Sequence, residues 1–177
     1  MQSSAPELID LTGESKDTLD FYGVNRDGQQ GVFAKNCLLA RRLVERGVRC
    51  VSLFQRTWDQ HKNLEGELRT QCAEVDQPIG ALLKDLKQRG LLDDTLVIWG
   101  GEFGRMPMSE QGTGRDHNPW GYCAWLAGAG ISGGRAYGAT DDIGLRAAVN
   151  PVSVHNFHAS ILHLLGMDHE KLTYRYA

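Results

Sequence analysis

Asp59 and His61, in the stretch TWDQH, stand two residues apart directly after the apolar run Val48–Phe54. In extended chain that spacing points both side chains to one side. A carboxylate oxygen and an imidazole nitrogen so placed are a ligand pair for a borderline metal such as zinc or manganese; the same D-x-H also serves as a cap or turn. A second cluster, GGEFGR, follows the apolar run Leu96–Trp99 and delivers Glu102 and Arg105. Arg105 can hold an anion in a bidentate fork, or pair with Glu102. A third, GRDHNPWG, sets Arg115, Asp116, His117 and Asn118 in a row ahead of a proline. His117 is there a candidate ligand, while an Asx turn at Asp116 or Asn118 accounts for part of the cluster without one. In VHNFHASILHLLG, His155 and His158 lie three apart, a spacing that shares a helix face. Val154, Phe157, Ile161 and Leu164 form an apolar stripe beside them, which also suits histidines that only hydrogen-bond to their surroundings.

These clusters need elements to position them. Residues 1–33 are polar and turn-rich and predict one or two short surface helices. Ala34–Arg46 predicts a helix ending at Gly47, and VRCVSLF (48–54) a buried strand. Leu68, Cys72, Val75, Ile79, Leu82 and Leu86 recur at spacings of three and four and predict a long helix ending near Gly90. TLVIWG and GYCAWLAGAG read as two further strands, and PVSVHNFHASILHLLG as a helix stopped by Gly166. Helices alternating with strands predict an α/β fold, with a mostly parallel sheet flanked by helices. The whole of 1–177 then reads as a single domain, 1–33 as its surface segment and 34–177 as its core. Sites in such sheets gather at the carboxyl ends of the strands, where TWDQH and GGEFGR fall. The segment 101–119 is the one long irregular region, and long loops in compact domains are usually functional or disordered.

Composition narrows the function classes. The 177 residues suffice for a core, and 23% charged residues with a net charge of −3 give no basic stripe for nucleic acid. Cys37, Cys50, Cys72 and Cys123 are widely spaced without a C-x-x-C pair, which predicts mostly buried free thiols. No apolar run approaches the roughly 18 residues of a membrane span. MQSSAPELIDL is not an export signal. Both ends read like the interior of a longer chain, which leaves a periplasmic or exported protein open.

Taken in order, TWDQHKNL, LVIWGGEFGRMP, GRDHNPWGYCAWLAGAGISGG, YGATDDIG and VHNFHASILHLLGMDHEKLTYRYA resemble the C-terminal part of the sulfatase-like domain-of-unknown-function family 1501, over nearly the whole chain. The resemblance implies kinship with the alkaline phosphatase and sulfatase superfamily, and so an alkaline-phosphatase-like sheet, here incomplete at its N-terminal side. It implies one or two divalent ions (zinc, manganese or calcium) held by Asp59, His61, Glu102 and His117. Arg105, Arg115 and Asn118 would bind the substrate, a small-molecule or glycan ester of sulfate or phosphate. Arg105 and His158 would assist catalysis, with His158 as proton donor to the leaving group. The D-x-H spacing is shorter than the superfamily's, and Glu102 stands where an aspartate is usual. The nucleophile would come from a part of the protein N-terminal to these residues, or from water. The alternative is a non-catalytic module of the same fold that binds metal or an anionic glycan.

Overall fold

Three long helices form where the apolar spacing requires them, and each stops at a glycine. In the computed structural model, which describes residues 5–175, these are α3 (Gln29–Glu45), α4 (Leu64–Gln88) and α5 (Val154–Leu164), preceded by the short α1 (Ala5–Ile9) and α2 (Lys16–Tyr22). Gly47 and Gly90 adopt φ 79° and 69°, a left-handed conformation costly for any residue with a Cβ. The chain thereby turns back on each helix: Val48 N–H donates to Leu43 O and Leu91 N–H to Leu86 O, at 3.0 and 2.8 Å. These are the closing bonds of Schellman motifs, which satisfy carbonyls that the helix end orphans. Met167 N–H donates likewise to Leu162 O after α5. At their starts, α2 and α5 are capped by Ser15 and Ser153, whose hydroxyls accept from Thr18 N and Asn156 N.

The chain divides into two compact units, Met1–Thr95 with Met108–Asp116, and Leu96–Pro107 with His117–Ala177. The first is helical. Phe33, Ala34, Cys37, Leu38 and Ala40 of α3 and Val75, Ala81, Leu82 and Leu86 of α4 are buried, together with Tyr22 and Val24. Each fully buried leucine among them contributes about 1.5–3 kcal/mol relative to exposure. Burial also pushes the Cys37 thiol up to about 12.

An ion network crosses this core. Arg41, 3% exposed, donates from Nη2 to Glu14 and from Nη1 to Glu45 at 2.8 and 2.6 Å, and its Nε lies 3.1 Å from Asp85 Oδ2. Asp85 in turn accepts from Tyr22 Oη at 2.9 Å and Arg89 Nε at 2.7 Å, while Arg42 donates to Glu14 at 2.8 Å. Three guanidinium groups thus meet three carboxylates, which is how charge survives at such burial. Burial first, then the bond to Asp85, raises the Tyr22 phenol above its ordinary range.

The second unit holds the strands: β1 (Val97–Trp99), β2 (Gly104–Arg105), β3 (His117–Asn118), β4 (Trp125–Ala127), β5 (Ala139–Thr140) and β6 (Ala147–Val149). They form three separate two-stranded sheets, β1–β4, β2–β3 and β5–β6, all antiparallel. The Trp99 and Trp125 side chains face each other across β1–β4 with rings stacked at 6.3 Å, a cross-strand pair of the kind that holds such ribbons together.

The expected mostly parallel, alkaline-phosphatase-like sheet flanked by helices is therefore overturned. A parallel neighbour needs a crossover connection, usually a helix, and between β1 and β4 the chain has none. TLVIWG and GYCAWLAGAG do supply strands, but they pair antiparallel. VRCVSLF, rich in strand formers, joins no ladder among the described residues, and Phe54 is 83% exposed. Of the cysteines, all free, only Cys37 is buried; Cys50, Cys72 and Cys123 are exposed. Cys72 lies off the buried stripe of α4, which runs through Gln71, Val75, Pro78, Leu82, Asp85 and Leu86. No described helix is long and apolar enough to cross a membrane.

Candidate metal centre

The loop ahead of α4 is fixed from both sides. Thr57 has φ 72°, a conformation that costs a β-branched residue on the order of 1–3 kcal/mol unless its surroundings impose it. Here they do. Its carbonyl accepts from Gln60 Nε2 at 2.6 Å and from Gln71 Nε2, and Gln60 Nε2 also meets Gln71 Oε1. Gln60 and Gln71 are buried, so this closed set of amides pins the backbone on either side of Trp58 and Asp59.

The segment Met108–Asp116 clasps the same loop. Leu64 N–H donates to Thr113 O at 2.9 Å and Asn63 N–H to Thr113 Oγ1 at 3.2 Å, which satisfies donors at the start of α4. Arg115 N–H donates to Gln60 O at 2.9 Å. Gly114 approaches so closely that a Cβ there would overlap the His61 carbonyl group.

The clasp sets His61 between two carboxylates. Its Nε2 lies 3.2 Å from Asp59 Oδ1 and its Nδ1 3.3 Å from Asp116 Oδ1. Asp116 Oδ2 accepts from Glu110 N–H at 2.8 Å. The imidazole is one-third exposed and Asp59 more so, at 34% and 61% of their side chains. D-x-H thus folds as a tight turn, His61 N–H donating to Asp59 O at 3.0 Å, and still brings both side chains together.

The remaining candidates are placed as follows. Arg115, in the first unit, donates from Nη1 to Gly114 O at 2.6 Å. In the second unit, Glu102 is exposed on the bend between β1 and β2. Arg105 and His117 are register partners across β2–β3. The Phe103 ring lies 4.3 Å from that of His117 and 5.8 Å from the Arg105 guanidinium. Asn118 is fully buried; its Nδ2 donates to Leu145 O at 2.8 Å and its Oδ1 accepts from Trp120 N–H at 3.0 Å, the Asx turn expected ahead of Pro119. His158 is exposed on α5, and its Nδ1–H donates to Val154 O at 2.8 Å, which leaves Nε2 as the lone-pair nitrogen of the neutral ring. His155 is exposed on the same helix.

Sequence reasoning missed Gln60 and Gln71, and saw Asp116 only as a turn former. The available signal for Asp116 was its place between Gly114 and His117, where a close backbone approach ends in a carboxylate. As donors, Asp59 and His61 offer a carboxylate oxygen and an imidazole nitrogen, chemistry suited to zinc or manganese. Calcium prefers an all-oxygen shell.

Neither the curated proteins nor the solved structures gave a match. The family described as "Protein of unknown function (DUF1501)" matches residues 1–177, the entire chain, and the protein belongs to that family.

Proposed function

We propose that the chain carries a divalent-metal site on Asp59 and His61 of the first unit, and that it serves hydrolysis of sulfate or phosphate esters. The observation that carries the reading is the 3.2 Å between His61 Nε2 and Asp59 Oδ1. With His61 Nδ1–H directed at Asp116, a neutral ring turns its lone pair toward the Asp59 oxygen. Two such atoms are drawn together by a cation between them, a metal ion or a proton on Nε2, and we assign the metal. Donors that far apart also fit neighbouring positions in a tetrahedral shell with bonds of about 2.0–2.2 Å.

A bound divalent ion would neutralise charge developing on the ester oxygens. The residues of the chain do the rest. Arg115 holds the anionic group through its guanidinium fork. For the second unit we propose anion binding at Arg105 and, with Nδ1–H committed to Val154, proton exchange at His158 Nε2. Glu102 and His117 are the metal-donor candidates of the second unit in this reading. Kinship with the sulfatases rests here on the order of motifs. The alternative, a module that binds an anionic glycan without turnover, uses the same arginines.

Assay of zinc- and manganese-loaded protein on 4-nitrophenyl sulfate and 4-nitrophenyl phosphate tests the reading. Turnover that disappears in Asp59→Asn and His61→Ala supports hydrolysis. Absence of turnover, with metal and a sulfated oligosaccharide still bound, replaces it with the binding module. Turnover undiminished in both variants overturns the site.

A further inference from the structure

We infer that Asp116 is a positioning residue whose carboxylate fixes the ring orientation and tautomer of His61, so that Nε2 is the nitrogen presented beside Asp59. The inference rests on the metal-site reading for its purpose, but its geometry stands within the first unit alone.

Both oxygens of Asp116 are engaged in ways that suit orientation. Oδ1 accepts from His61 Nδ1 at 3.3 Å and Oδ2 from Glu110 N–H at 2.8 Å. The second bond closes the 110–116 turn and holds the carboxylate in place. Its side chain is 23% exposed, against 61% for Asp59, so of the two carboxylates flanking the imidazole it is the sheltered one.

The surrounding backbone makes the contact reproducible. Arg115 N–H is bonded to Gln60 O, and Gly114 lies against the His61 carbonyl, so the residue before Asp116 and the residue before His61 are tied directly together. Two side chains projecting from backbones joined in this way have little freedom to separate. A carboxylate that takes one ring N–H raises the basicity of the other nitrogen and sets the direction of its lone pair, and loss of such a partner typically lowers metal affinity by about 10–100-fold.

The test uses the whole chain in two arms. In metal-free protein at pH 8.5, long-range ¹H–¹⁵N correlation spectra report which His61 nitrogen carries the proton; Nδ1–H is expected in the wild type, with loss of that preference in Asp116→Ala. In the second arm, zinc affinity is measured by chelator competition. Asp116→Ala is expected to weaken it by about 10–100-fold, while Asp116→Asn, which keeps one acceptor oxygen for Nδ1–H, loses less. Helical circular dichroism accompanies both variants, and if Asp116→Ala unfolds, Asp116→Asn and the wild-type tautomer decide. A wild-type proton on Nε2, or zinc affinity within twofold of wild type in a folded Asp116→Ala, overturns the inference. Zinc binding absent from the wild type, with the Nδ1–H tautomer present and dependent on Asp116, removes the metal reading and supports the positioning role.

Discussion

Gly114 lies against the carbonyl of His61 with no room for a side chain between them, and this single approach ties the segment Met108–Asp116 to the loop that carries the candidate ligands. The neighbours it would meet are backbone atoms, which cannot swing aside. Gly114→Ala is therefore expected to destabilise the first unit by about 1–3 kcal/mol and to weaken zinc binding by displacing His61. Gly13→Ala, with open space around the same addition, is the control and should change zinc affinity less than twofold. Urea denaturation and zinc titration of the two variants check the pair; equal behaviour would show that the approach is not a constraint.

The buried network predicts a large response at Arg41. Replacing it with methionine keeps most of the side-chain volume but leaves Glu14, Glu45 and Asp85 without their central cation. Breaking a buried pair from one side costs about 3–5 kcal/mol. Urea denaturation followed by helical circular dichroism should show a loss of that size for Arg41→Met, and a loss below about 1 kcal/mol would place the network outside the energetics of the fold.

Acid should act through Glu14. Burial alone would raise its carboxyl, but hydrogen bonds from Arg41 and Arg42 outweigh this and hold it below the ordinary glutamate value of 4.5. A carboxylate whose pKa is depressed on folding binds fewer protons folded than unfolded in that range. Its stabilisation is therefore fully present above pH 4.5 and disappears as pH falls through the lower, folded value. Wild-type stability is expected to drop below about pH 4.5 more steeply than that of Glu14→Gln, as measured by urea denaturation at a series of pH values. Parallel acid limbs in the two proteins would contradict it.

Helices and their ends were legible because they depend on local chemistry: apolar spacing over Leu82 and Leu86, and glycines at 47, 90 and 166 that close the last turns. Strand partners were not, because pairing is settled by where the chain returns. Val97–Trp99 and Trp125–Ala127 were recognisable as strands, yet their antiparallel register follows from a helix-free connection whose significance the alternation pattern obscured. At the site, Asp59 and His61 stood out by type and spacing. Gln71 did not, since a glutamine on a helix looks solvated until the Thr57 carbonyl is brought to it. Asp116 and Asn118 were indistinguishable as turn formers; folding gives the Asx turn to Asn118 and the imidazole to Asp116.

Metal stoichiometry decides whether Asp59 and His61 form a divalent-metal site. After metal removal and incubation with zinc or manganese, bound metal per chain is measured by plasma mass spectrometry for the wild type, Asp59→Asn and His61→Ala. The wild type is expected to retain zinc or manganese, and both variants to lose it while helical content stays unchanged. Equal metal content in all three proteins, or none in the wild type, would contradict it.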